Sequence, residues 1–257
     1  MRRMQALVLG CLGLAAVALP LAAGQAPAET RQGAAWPKGG YAALDRLPDW
    51  GGVWVLQRGA PGQPRAAAPQ LKGQYLAQYQ AWQKQLEADG GVPRRETSNC
   101  MPPGMPRMMG TGQYPLEFLF TPGRVTMQHE AWMQTRTIFT DGRGHPEDLD
   151  PGIFGHSIGR WEGDTLVVDT VGIKTITEME TGMKHSDQLR ITERIRLSPD
   201  DPDTLLVEMT LEDPEALAAP YRRSHSFQRQ RDWNLMEFIC AENDRNPVGT
   251  DGQTLFE

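Results

Sequence analysis

From Tyr114 onward, apolar and polar residues alternate with a period of two in short runs, and most runs end at turn-forming residues. Alternation of that period places successive side chains on opposite faces of an extended chain, so each run reads as a strand with one buried face. The candidate strands are 115–121, 124–131, 133–140, 155–161, 164–171, 188–197, 204–212, 222–230 and 235–241. Pro122-Gly123, Asp141-Gly142, Glu162-Gly163, Pro199-Asp200-Asp201 and Asp232 punctuate them. Long helical patterns do not recur between these runs, which argues against βαβ units and a parallel sheet. The fold expected is mainly β: an antiparallel meander that closes into a barrel or folds into a sandwich.

Upstream, Val53-Trp54-Val55-Leu56 reads as a first strand, followed by a loop rich in Gly, Pro and Ala over 58–69. Leu71, Tyr75, Tyr79, Trp82 and Leu86 then recur at helical spacing, which predicts one accessory amphipathic helix over about 69–89. An irregular stretch rich in turn formers follows it. The expected organisation is a leader over 1–28, a flexible linker over 29–48 and a single domain over 49–257.

The leader is read from its order: Arg2 and Arg3, an apolar run broken by Pro20, then small residues around Gly24 and Ala28. That order is a secretory signal, and the run is too short for a membrane span. A periplasmic or secreted protein is therefore expected, with no stable membrane insertion once the leader is removed. The whole chain carries 26 Lys+Arg against 32 Asp+Glu, and losing Arg2 and Arg3 moves the balance from −6 to −8. With no basic cluster, a nucleic-acid partner is excluded as an expectation. Removing Cys11 with the leader leaves Cys100 and Cys240, which in an oxidising compartment predicts one disulfide. The other reading is two separate buried thiols.

The segment DWGGVW resembles the Gly-x-Trp start of the lipocalins, and that resemblance implies a calycin-type barrel. The segments CMPPGMPRMM, PLEFLFTPGRVTMQHE, RTIFTDGRGHP and GHSIGRWEGDTLVVDT together resemble a family of exported bacterial proteins without an assigned activity. That resemblance spans most of the chain after the leader, and it implies export.

The stretch GHSIGRWEGDTLVVDTVG over 155–172 is the densest in functional groups. A two-residue loop at Glu162-Gly163 would set Arg160 opposite Thr165 and His156 opposite Asp169, the pairing that orients a general base. A three-residue loop ending at Gly163 would set Arg160 opposite Asp164 and His156 opposite Val168. Both registers stay open at this stage. Glu193 interrupts the apolar row Leu189, Ile191, Ile195, Leu197, so it is either an acid–base group in a desolvated site or a buried ion-pair member held by an Arg from a neighbouring strand. His129 lies on the side of Val125 and Met127, and His225 on the side of Phe227. His185 precedes a strand, where loop residues reach over a barrel mouth. His145, in GRGHPE, reads as turn material.

The candidate catalytic residues are thus His156, Asp169, Glu193, His129 and His185. The candidate substrate-binding residues are Arg160, His225, Phe227 and Met127. There is no His-x-His, HExxH or CxxC spacing, and neither a metal nor a cofactor is expected. Two function classes remain open. One is a cofactor-free lyase, isomerase or hydrolase acting on a hydrophobic or aromatic molecule inside the barrel. The other is a carrier of such a molecule that performs no chemistry.

Overall fold

A computed structural model of the protein describes residues 40–57, 67–93, 100–110 and 114–240. The expected leader and most of the expected linker lie outside these residues. The described residues fall in one unit, Trp36–Glu257.

Nine strands close into a barrel: β1 (Val53–Leu56), β2 (Leu116–Thr121), β3 (Arg124–His129), β4 (Gln134–Phe139), β5 (His156–Glu162), β6 (Thr165–Val171), β7 (Arg190–Leu197), β8 (Thr204–Glu212) and β9 (Tyr221–Gln230). Their order around the wall follows the sequence, and β1 pairs with β9 to complete the ring. Burial alternates along the strands as the period of two requires: in β8, Leu205, Val207, Met209 and Leu211 are buried, while Glu208 and Glu212 are exposed.

One helix, α1 (Gly73–Ala88), lies outside the barrel. None of its residues is fully buried, and the stripe read from the sequence, Tyr75, Tyr79, Trp82 and Leu86, is the half-buried one. Trp82 stacks on Tyr79 and lies against Gly182, where a Cβ would come within 2.5 Å of the indole. Gly182 also has φ +77°, so both the contact and the backbone favour glycine.

Two features depart from a simple meander. First, every neighbouring pair is antiparallel except β4 and β5, which are parallel and share only Ile138↔Ser157 and Phe139↔Ile158. Parallel neighbours need a crossover, and residues 140–155 supply it. That segment is tied down where Gly152 N–H donates to Gly172 O at 3.0 Å and Lys174 N–H to Gly152 O at 2.9 Å. Second, of the strand expected over 235–241 the described residues, 235–240, form none. A closed ring has no edge on which another strand can pair. The segment instead runs as a strap: Met236 N–H donates to Glu130 at 2.8 Å, and Phe238 packs on Tyr114 and Trp132. The strap ends at the Cys100–Cys240 disulfide, whose Cα atoms are 5.5 Å apart. Closing a loop of this size is worth on the order of 5 kcal/mol by chain entropy. The expected linker also ends in structure, since Gly40–Arg46 forms a short 3-10 helix.

The barrel interior is filled with side chains. Towards one end Trp50 meets Phe118, Phe120 and Trp161 at ring separations of 5.0, 5.5 and 5.3 Å. Trp54 is fully buried beneath the guanidinium of Arg229, which lies 4.6 Å from its ring. Arg229 donates to the carbonyls of Asp49 (2.8 Å) and Pro202 (2.7 Å), holding the start of β1 against the β8–β9 wall. Met105, Met108, Met109, Met127, Met179 and Met209 fill much of the rest.

Candidate functional site

The β5–β6 hairpin settles the register question with a third answer. Glu162 pairs with Thr165, so the two-residue loop is Gly163-Asp164, one position beyond the expected one. Gly163 has φ +59°, and a positive φ at the first loop residue alone is the type II′ pattern. His156 therefore faces Val171 and Asp169 faces Ile158. His156 and Asp169 still share a face, since their positions differ from the cross-strand pair by two residues on the same side. That face is the outer one.

The crossover segment brings His145 against them. His145 Nε2 lies 3.2 Å from Asp169 Oδ2, and His145 Nδ1 lies 2.8 Å from His156 Nδ1. Behind Asp169, Arg190 at the start of β7 donates from Nε to Oδ1 at 2.7 Å and from Nη2 to Oδ2. The result is a linear chain: Arg190, Asp169, His145, His156. His156 also stacks on Phe139, with ring centroids 5.3 Å apart, and Arg143 lies 4.0 Å over that same Phe139 ring. Arg143 is itself held by Asp141 through a bond from Nε to Oδ1 at 2.9 Å.

The chain constrains where protons sit. Asp169 is a carboxylate: burial raises its pKa, but the hydrogen bonds from Arg190 and His145 outweigh burial and leave it below the usual value. It accepts, so His145 Nε2 carries a proton. In the form where both rings are neutral, His145 Nδ1 holds an electron pair and accepts from His156 Nδ1–H. His156 Nε2 then holds an electron pair, and no described residue hydrogen-bonds to it. Burial lowers the pKa of His156, and His145 when it is itself protonated and Arg143 lower it further, so His156 is neutral at neutral pH.

Glu193 is elsewhere. It pairs with Val168 inside the barrel, fully buried, and binds Arg136 of β4 through Nη1 to Oε1 at 3.1 Å and through Nη2 to Oε2. Arg136 Nε also donates to Ser157 Oγ at 3.2 Å and Nη2 to Thr170 Oγ1 at 2.9 Å. These four side chains satisfy one another across β4, β5, β6 and β7. Of the two readings of Glu193, the ion-pair member is the one found, with the correction that its arginine comes from β4, across β5 and β6, and not from a neighbouring strand; Glu193 and His156 lie on opposite faces of the wall.

The remaining candidates separate. His185 is buried in the β6–β7 connection with both nitrogens engaged, Nε2 with Thr177 Oγ1 at 2.8 Å and Nδ1 with Ser186 O at 2.7 Å. It braces that loop instead of reaching over the mouth. His129 is buried inside at the end of β3, and burial lowers its pKa to about 4. Arg160 is exposed beside the hairpin turn, bonded to Glu162 at 2.7 Å, with Arg194 on the same carboxylate. It is a member of a surface ion pair. Met127 and Phe227 are core residues. His225 lines a pocket with Tyr221 and Arg223, which contains none of the residues of the outer chain.

Sequence reasoning missed His145, because Asp141-Gly142-Arg143 and Pro146 mark a turn and nothing in the spacing ties that turn to β5. Arg190 and Arg136 were likewise passed over. Among the described residues, no three His, Cys, Asp or Glu side chains surround a common point as a metal ion requires. No described helix is long and apolar enough to cross a membrane. No family model matches the sequence, and no curated protein is significantly similar to it.

Proposed function

We propose that this chain is an exported, cofactor-independent acid–base enzyme, a lyase, isomerase or hydrolase, acting on a small hydrophobic or aromatic molecule at the outer wall beside β4 and β5. The observation that carries this reading is the contact between His145 Nδ1 and His156 Nδ1, 2.8 Å apart, backed by Asp169.

His156 Nε2 accepts a proton from the substrate. The proton on His156 Nδ1 passes to His145 Nδ1, and the positive charge comes to rest on His145 beside the Asp169 carboxylate. Returning that proton to a leaving group or a neighbouring carbon reverses the chain. Transfer through two rings moves the charge away from the reacting atoms and towards its counter-ion, which favours abstraction. The Phe139 ring supplies an apolar surface next to His156 for the substrate body. Export is supported by the order of the first 28 residues, and the Cys100–Cys240 bridge suits an oxidising compartment.

The test is a panel of enolisable ketones, β-hydroxy carbonyl compounds and activated aryl esters. Turnover by the native protein is expected to fall 10²–10⁴-fold in His156→Asn. Asp169→Asn is expected to lower kcat with little change in KM, because Asp169 positions and does not touch substrate. A native protein inert to the whole panel, or one whose activity survives His156→Asn, ends this reading.

A further inference from the structure

After β9 the chain adds nothing to the barrel wall. β1 closes the ring on β9, and residues 231–240 pair with no strand. None of them is buried: Leu235, Phe238 and Cys240 are half-buried, and the rest are exposed. This strap lies along the connection between β3 and β4. Met236 N–H donates to Glu130 Oε2 at 2.8 Å, and the Phe238 ring meets Tyr114 and Trp132 at centroid separations of 5.5 and 5.6 Å. The connection is itself under backbone strain, because Trp132 and Met133 take φ values of 56° and 49°. A left-handed conformation costs a residue with a Cβ about 1–2 kcal/mol. Two in succession persist only where neighbouring groups hold them. Trp132 is held through its ring, between Tyr114 at 6.2 Å and Phe238 of the strap.

The Cys100–Cys240 bridge joins unequal ends. Cys100 leads into a segment anchored in the barrel: Met105, Met108 and Met109 are buried in the core, and Met105 N–H donates to Ile153 O at 2.9 Å. Cys240 sits on the strap, where no residue is buried. Opening the bridge therefore frees the strap and leaves the Cys100 end in place. Both cysteines are half-buried, so neither is enclosed in the core. Access to a bridge sulfur is one of the conditions for attack by a thiolate.

We propose that the Cys100–Cys240 bridge is a modification site for dithiol reductants, and that its reduction lifts the strap off the β3–β4 connection and uncovers Tyr114 and Trp132 while the barrel stays closed. One thiolate of the dithiol attacks a bridge sulfur. The S–S bond breaks, a mixed disulfide forms, and the other cysteine leaves as a thiolate. The second thiol of the dithiol then displaces the remaining cysteine and closes a disulfide within the reagent. The dithiol loses two electrons, the bridge gains them, and the two thiol protons end on Cys100 and Cys240. The site shares no residue with the histidine chain on the outer wall.

NMR of the disulfide-bonded protein before and after treatment with dithiothreitol tests this, with alkylation and intact mass showing when the bridge has opened. The bridge is expected to open in the folded protein. Nuclear Overhauser contacts from the Phe238 ring to the rings of Tyr114 and Trp132 are expected to be present in the oxidised form and lost in the reduced form. The amide resonances of β8 are expected to keep their folded positions throughout. Cys240→Ser is expected to lack the Phe238 contacts without any reductant. A bridge that opens only as the barrel unfolds overturns the proposal. So do Phe238 contacts that survive reduction, or β8 resonances that collapse to unfolded positions when the bridge opens.

Discussion

His156 and Glu193 occupy opposite faces of the same stretch of barrel wall. Ser157 follows His156 in β5 and Thr170 follows Asp169 in β6, and these two hydroxyls point inward onto the Arg136–Glu193 pair. One four-strand panel therefore carries a histidine chain outside and an ion pair inside, separated by one residue of pleat. This panel includes the parallel β4–β5 seam, where only two residue pairs join the strands. The interior ion pair bridges that seam from β4 to β7.

Breaking the interior pair is expected to destabilise the protein strongly. Glu193→Gln leaves the Arg136 cation uncompensated in the core and costs about 3–5 kcal/mol, whereas replacing both with Met and Leu is expected to be close to neutral. Urea unfolding of the single and double variants measures this. A loss under about 1 kcal/mol in Glu193→Gln contradicts the structural role.

Acidification is expected to destabilise the barrel between about pH 6.5 and pH 4. His129 and His225 have native pKa values of about 4, below the ordinary 6.5. Across that window the unfolded chain binds more protons than the native one, so stability rises with pH, is complete above the unfolded value and is lost as pH falls through it towards the native value. Each histidine contributes on the order of a few kcal/mol. Comparing pH–stability curves of the native protein and His129→Gln checks the sign. A curve flat from pH 7 to 4 contradicts it.

Two glycines are expected to differ in what they tolerate. Gly163 has a positive φ but open space around its Cβ direction, so Gly163→Ala costs about 1 kcal/mol of backbone strain. Gly182→Ala adds a clash with the Trp82 ring and costs about 2–3 kcal/mol. Thermal midpoints rank them. Equal losses show that Trp82 yields without cost.

The barrel was legible because alternation and turn residues act locally. Val53–Leu56 and Thr204–Glu212 match the expected strands, and the other wall strands differ by one or two residues at their ends. The strand expected over 235–241 failed for a non-local reason: ring closure between β1 and β9 leaves no edge. The candidate site was half legible. His156 and Asp169 share a face in the true register as in the expected one, but that face looks outward, because Ser157, Leu166, Val168 and Thr170 take the buried side of the same strands. Arg136, from β4, partners Glu193 across β5 and β6, a distance no strand pattern records. His145 joined the site through a crossover whose path depends on the whole ring.

The most direct test of the account is the tautomeric state of the two wall histidines, read from their imidazole ¹⁵N resonances near pH 7.5. His145 should carry its proton on Nε2 and His156 on Nδ1, leaving His156 Nε2 bare. The His156 pKa should lie below 6.5, the direction set by its burial and its neighbours. Asp169→Asn should disturb the tautomers of both rings although, of the two, Asp169 contacts only His145. A His156 that carries its proton on Nε2, or rings indifferent to Asp169→Asn, would contradict the relay and the function built on it.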